Sequence, residues 1–287
     1  MQPAIHIKKT IDFNKGFKSL LEVLKLVAVS EYHILERQLK SFERLQNILA
    51  EFFSIINVSQ SKSSFINPGS QPTGVVAVTS DAGLLGGINM QVVSAAVDLV
   101  REHNGKLIVV GERGQLYANG AGLPFVSFPG IVDSQRFSQA CQLRDYLIEC
   151  VGKGEIGSIK VVFPHALSFV VHRVEVATLI PFTLSPAPLS KPEAPDARLA
   201  AEQLILESDP EEVAEYLVYL VMGQRLFEIF GMSRVCEQAA RFVHLEESCQ
   251  KIQEMNQKLL LQYFRRRHEI IDANMRELFS ARSIYAK

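Results

Sequence analysis

The 287-residue chain has no tryptophan, four cysteines, and no proline between Ala4 and Asn67. No apolar run approaches the roughly 18–20 residues needed to span a bilayer, so a membrane span is excluded. Cys141, Cys150, Cys236 and Cys249 lie nine or more residues apart with no CxxC pattern, which argues for reduced, buried thiols over a zinc site or a disulfide framework. The N-terminus lacks a signal-peptide h-region and points to a cytoplasmic protein. HExxH, GxSxG and metal-ligand spacing of the seven histidines are all missing, so no catalytic, cofactor-binding or metal-ligating residue is expected. A net charge of −1 carries no basic excess for nucleic-acid binding.

That average hides a pattern. Residues 1–62 carry nine Lys/Arg against six Asp/Glu and residues 241–287 carry the same, a net +3 at each end, while 63–240 has a net −7. The 47% hydrophobic and 21% charged content is that of a folded protein.

Periodicity divides the chain. In residues 1–62, apolar residues recur in steps of four and three at Phe17, Leu21, Leu24, Ala28, Leu35, Phe42, Leu45, Leu49, Phe52 and Ile56, broken only at Glu31 and Gln38. This heptad seam marks one strand of a left-handed coiled coil. Residues 73–182 read as a compact α/β domain. Continuous β-branched runs at 74–79, 107–111 and 159–163 suit strands buried on both faces, helical stretches lie near 88–103 and 135–151, and 169–180 adds a strand. Prolines 181, 186, 188, 192 and 195 mark a linker over 183–208. Asp209 and Pro210, followed by Glu211 and Glu212, then open a second long helix over 209–287. Its heptads run Phe242, Leu245, Cys249, Ile252, Leu259 and Tyr263, interrupted at Asn256. The expected fold is a central Rossmann-like parallel-sheet domain plus an antiparallel coiled coil, in which the N- and C-terminal helices form a rod.

Two motifs remain. Thr79–Asn89 is a glycine-rich turn at a strand's C-terminal end, where α/β proteins bind phosphate, yet Ile88-Asn89 stands where a P-loop needs Lys-Ser/Thr and the spacing is not GxGxxG. It reads as a structural turn or protein contact surface, with nucleotide binding as the alternative. Arg265-Arg266-Arg267-His268 covers most of a helix circumference, and is either a solvated face or a segment enclosed by a partner bearing carboxylates.

These residues resemble a known family. Val78–Asn89 is similar to the Asp-Arg-Gly-Leu-Cys-Gly-Gly-hydrophobic-Asn signature of gamma subunits of F-type rotary ATP synthases, with Asp81, Gly83, Gly86, Gly87 and Asn89 on the signature positions. Ser233–Arg241 resembles that family's Ser-Glu-Gln-Ala-Ala-Arg segment, and Leu26–Ser30 its Met-Val-Ala-Ala-Ser. The resemblance covers essentially the whole chain and implies a central-stalk rotor, a non-catalytic subunit without cofactors. Such a rotor couples ion-driven rotation of a membrane c ring to ATP synthesis or hydrolysis in the ring of alpha and beta subunits. It implies as partners those alpha and beta subunits, an epsilon-type subunit and the c-subunit ring, on the cytoplasmic side of the cell inner membrane. Candidate ring contacts by the same resemblance are Arg265, Arg266, Arg267, His268, Arg241, Gln238 and Glu31. Ala82 and Leu85 replace the signature's Arg and Cys, Glu31 stands where a Lys usually follows the Ser, and His268 replaces a Gln. The pattern suggests a divergent bacterial-type member. A nucleotide-binding α/β enzyme and an unrelated coiled-coil scaffold are the competing readings.

Overall fold

A computed structural model describes residues 4–39, 71–181 and 210–285. Phe42 to Ile56 of the first seam and the linker at 183–208 lie outside the described residues. In chain order the elements are α1 (Ala4–Leu39), β1 (Thr73–Val78), α2 (Ile88–His103), β2 (Lys106–Val110), α3 (Glu112–Ala121), β3 (Phe125–Phe128), α4 (Arg136–Gly152), β4 (Ser158–Ala166), β5 (His172–Ile180) and α5 (Pro210–Tyr285). Contacts divide the chain into two units whose boundaries fall inside the long helices. One holds the residues up to Val29 with those from Arg241 onward; the other runs from Ser30 to Ala240.

The first unit is a two-stranded antiparallel seam. On α1 of this unit Ile7, Ile11, Asn14, Lys18, Leu21, Lys25 and Ala28 are buried or half-buried in a strict alternation of steps of four and three, with Ala4, Thr10 and Val29 half-buried beside them. Leu21 packs with Leu245, Cys249 and Ile252 of α5. Between the apolar layers the seam is polar: Asn14 Nδ2 donates to Asn256 Oδ1 (2.9 Å), Lys18 Nζ to Gln253 Oε1 (3.0 Å) and Lys25 Nζ to Glu246 Oε2 (2.6 Å). The hydrogen bond from Lys25 holds the Glu246 carboxyl below the usual carboxylate range, and the same bond holds Lys25 above its ordinary value.

The seam is therefore rotated from the expected one. Leu21, Ala28 and Leu35 are buried as expected, but Phe17 and Leu24 are 43% and 37% exposed, and Glu31 and Gln38 are also exposed. Apolar residues occupy two adjacent stripes of α1, so apolarity alone does not select the face. The partner selects it, because α5 offers Asn256, Gln253 and Glu246 where Asn14, Lys18 and Lys25 project.

In the second unit the five strands lie in the order β3-β2-β1-β4-β5. The β1 pairings with β2 and β4 are parallel, as is β2 with β3, whereas β4 and β5 are antiparallel. Every residue of β1 is buried, which explains its continuous run of small and β-branched residues. One sheet face presents Val75, Ala77, Leu107 and Val109 to Val92, Val93, Ala96 and Val97 of α2. The other presents Val76, Ile108 and Val161 to Leu143 and Leu147 of α4 and to Leu226 and Phe230 of α5. The end of α1 joins this unit through Tyr32 and Leu35, packed with Val235 and Ala239 of α5 and with Phe169.

The short elements α3 and β3 have no counterpart in the sequence reading. Among the described residues no helix is long and apolar enough to cross a membrane.

The polar layer yields a test. Asn14→Leu alone strands the Asn256 amide and is expected to destabilise the protein by about 1–3 kcal/mol. The double change to Leu at both positions is expected to recover that loss, read as a double-mutant cycle of denaturant midpoints.

Candidate functional site

The glycine-rich turn leaves the C-terminal end of β1, and its polar groups are used within the fold. Thr79 Oγ1 donates to Val110 O (2.6 Å) and accepts from Gly114 N–H (3.0 Å). Ser80 O accepts from Arg113 N–H (3.1 Å), and Asp81 Oδ1 accepts from Glu112 N–H (2.8 Å). The first three N–H groups of α3 are thereby taken by the turn itself. A helix N-terminus binds phosphate through those orphan donors, so this one has no free donor of that kind to offer. These bonds concern α3; the helix that the turn itself leads into is α2, whose N-cap Gly87 makes no side-chain cap hydrogen bond.

Asn89 is buried and locks the turn from its other end. It accepts from Ser80 N–H (3.3 Å) and donates to Ser80 Oγ (2.8 Å). Gly86 has φ +61°, in the left-handed region, and Gly87 caps α2. Close approach explains two glycines outside the signature: a Cβ on Gly130 would lie 2.1 Å from Asp81 Oδ1, and one on Gly111 would lie 2.5 Å from Thr79 O. Leu85 and Ile88 are buried against Ala240 of α5, so the turn is keyed to the Ser233–Arg241 segment. Leu84 has φ +64° with its side chain exposed, a conformation that costs a non-glycine residue about 1 kcal/mol or more.

The Ser233–Arg241 segment is a buried polar stretch. Arg234 reaches both oxygens of Asp133 (2.9 and 3.2 Å) and Glu237 Oε2 (2.6 Å). Burial opposes the guanidinium charge, yet the two carboxylates outweigh it and hold its pKa above the ordinary value. Gln238 is 1% exposed and donates to Glu31, binding α5 to α1 within this unit. Both residues are candidate ring contacts from the sequence. Gln238 spends its amide inside the chain on Glu31, which is itself exposed. Arg241 is half-buried. Burial pushes the Cys236 thiol up to about 12.

The remaining candidates lie on the surface. Arg265, Arg267 and His268 are exposed, and Arg266 pairs along its own helix with Glu269. Every residue from Arg267 to Ser280 is exposed, including Ile270, Ile271, Met275, Leu278 and Phe279. On α1 the residues off the seam, Phe13, Phe17, Leu20, Leu24 and Val27, form a second exposed apolar stripe at heptad spacing. Arg136 and Arg144, which tie α4 to α5 by covering the rings of Phe227 (4.3 Å) and Tyr219 (3.6 Å), escaped the sequence reading. A single arginine within a helix gives no signal of the ring it covers.

The sequence model of the ATP synthase family matches residues 4–283. The chain belongs to that family. Its relatives there are gamma chains: that of Clostridium acetobutylicum is 27% identical and that of Chlorobaculum tepidum 24%. These alignments cover 96% and 92% of this chain and 95% and 93% of theirs. The chain is thus a divergent gamma subunit of bacterial type. Solved structures agree on the fold. A chain of the rotor of the Euglena gracilis mitochondrial ATP synthase has a TM-score of 0.66 at 13% identity, covering 93% of this chain and 98% of that one. A central-stalk chain of the Tetrahymena thermophila mitochondrial enzyme has a TM-score of 0.58 at 18% identity, covering 80% and 99%. In this gamma-type chain the signature turn is a structural keystone, and the exposed groups lie on the two long helices.

Two outcomes follow from the buried groups. Thr79→Val leaves Gly114 N–H without its acceptor and is expected to destabilise by about 1–3 kcal/mol in chemical denaturation. Because the Cys236 pKa is raised on folding, its protonated form stabilises the native state fully below about pH 9. That contribution is lost as pH rises from there toward about 12. Cys236→Ala should flatten this alkaline decline in stability.

Proposed function

We infer that the chain is the central-stalk rotor subunit of an F-type ATP synthase. It couples ion-driven rotation of a membrane c ring to ATP synthesis and hydrolysis in a ring of alpha and beta subunits. Family membership over nearly the whole chain is the observation that carries the reading. The subunit makes no bonds to substrate. It acts by differential contact with the conformational states of the catalytic subunits, and only a difference in contact between states can shift their populations.

The coiled coil is built for that role. Its seam is buried, while the second stripe of α1 and the end of α5 leave large apolar side chains exposed, an arrangement that suits a helix pair enclosed by protein. Lys8, Lys9 and Lys15 on α1 and Arg265, Arg267 and His268 on α5 are exposed on the same unit. A ring that enclosed them would present carboxylates, with guanidiniums making bidentate contacts. Arg267 is the foremost of these contacts, with Arg265, Arg266 and His268 beside it and Glu31 and Arg241 as further candidates on the helix pair. The α/β domain meets the epsilon-type subunit and the c ring. The assembly sits on the cytoplasmic side of the cell inner membrane, with this chain peripheral.

A tagged copy expressed in its own host should co-purify with alpha- and beta-type ATPase subunits; their absence would refute the stalk assignment. Arg267→Ala should lower coupled ATP synthesis several-fold while the complex still assembles, measured on inverted vesicles against subunit content. Unchanged coupling would remove Arg267 from the contact set.

A further inference from the structure

Two arginines of α4 meet α5 in the same way. Arg144 lies over the ring of Tyr219 (3.6 Å to the ring centre), and a Cβ on Gly223 would come within 2.9 Å of its Nη1. Arg136 lies over the ring of Phe227 (4.3 Å), and a Cβ on Gly231 would come within 3.2 Å of its Nη1. Each guanidinium thus rests on an aromatic ring and in the notch left by a glycine four residues further along α5. The two arginines are eight residues apart, as are the two rings and the two glycines, and their order is reversed on α5. The matching contacts therefore stand about 12 Å apart along each helix.

Stability alone does not account for these groups. Arg136 is 6% exposed, and among the described residues its Nε and Nη1 meet no hydrogen-bond acceptor. Burial lowers its pKa against the pull of Asp133. Asp133 is itself held by Arg234 (2.9 Å), so Arg136 is not needed to neutralise it. Arg144 is 8% exposed, donates from Nε to the neighbouring Asp145 (2.9 Å) and from Nη2 to the Tyr219 hydroxyl. Buried charges commonly give way to apolar side chains of similar volume without loss of stability.

What apolar side chains lack here is a fixed shape. They repack when a helix shifts, whereas a flat guanidinium fits its ring and notch in one register. Shifting α5 by one residue would set Met222 or Gln224 where Gly223 admits Arg144, and Phe230 or Met232 where Gly231 admits Arg136. A shift of three or four residues also brings only larger side chains to both notches.

We propose that Arg136 and Arg144 are positioning residues that lock α5 against turning and sliding on α4, so that twist delivered to the α/β domain enters α5 without slip. Two separated contacts fix the angle of α5 as well as its height, and α5 runs unbroken from them to Tyr285. The consequence for coupling rests on the stalk reading; the lock itself does not.

The lock is tested on the full chain alone, and the coupling in the complex. Spin labels on Glu149→Cys of α4 and Glu215→Cys of α5, with Cys141 changed to Ser, should report one narrow distance. Arg136→Met with Arg144→Met should at least double the width of that distribution; an unchanged width would overturn the proposal. In inverted vesicles the same pair should lower the ATP-driven membrane potential per ATP hydrolysed at least about threefold, while the chain's thermal midpoint stays within a few degrees. An unchanged ratio would overturn the proposal, and so would a midpoint lowered by more than about ten degrees, which would reduce both arginines to packing. Lysine at both positions keeps the charge without the plane and should not restore coupling; rescue by lysine would again overturn it. If the methionine pair fails to fold, Arg136→Met alone is read in the same two assays. Absence of any ATP-driven potential with the unaltered chain would refute the stalk reading alone, since the label distances are measured without partners.

Discussion

Asn14 and Asn256 meet across 242 positions of sequence, and the first unit depends on that long-range pairing. A heptad helix exposes its seam to water when alone, and isolated helices owe little of their stability to propensity. Among the described residues neither α1 nor the far half of α5 has another apolar surface in this unit to bury against. The two ends of the chain must find each other before the seam contributes anything, and the loop-closure entropy of that search falls on both helices together.

The composition of the seam sets apolar burial against polar pairing. Leu21, Leu245, Cys249 and Ile252 form a dry layer, and fully burying a leucine is worth about 1.5–3 kcal/mol. Each polar pair contributes only about 1 kcal/mol net. Apolar layers therefore supply most of the stability. The polar layers supply the register, since sliding either helix by a heptad would move Asn14 from Asn256 to Cys249 or Tyr263 and set either Lys18 or Lys25 against an apolar residue.

The same contrast explains what could be read in advance. β1, β2 and β4 announce themselves because burial on both faces demands β-branched runs. α3 and β3 do not, being ten and four residues long with little period. The seam face of α1 stayed ambiguous because Phe13, Phe17, Leu20, Leu24 and Val27 offer a stripe as apolar as the true one, and only the partner helix distinguishes them. The signature turn was visible as a motif, but its chemistry was not. Asp81 works by accepting from Glu112 N–H, 31 residues away, and no local pattern records that pairing. The Gln238–Glu31 bond is hidden for a related reason: an amide facing Glu31 across two helices looks, in sequence, like any surface glutamine.

The run from Arg267 to Ser280 makes a different kind of demand. It is helix with every residue exposed, so nothing packed on it among the described residues offsets the entropy of keeping fourteen residues ordered. At that length an unpacked helix is marginal in water. Whatever surface receives Ile271, Met275 and Leu278 therefore supplies the ordering free energy as well as the contact. Part of the binding strength then goes into making the helix, which leaves a contact that is selective in shape and moderate in strength.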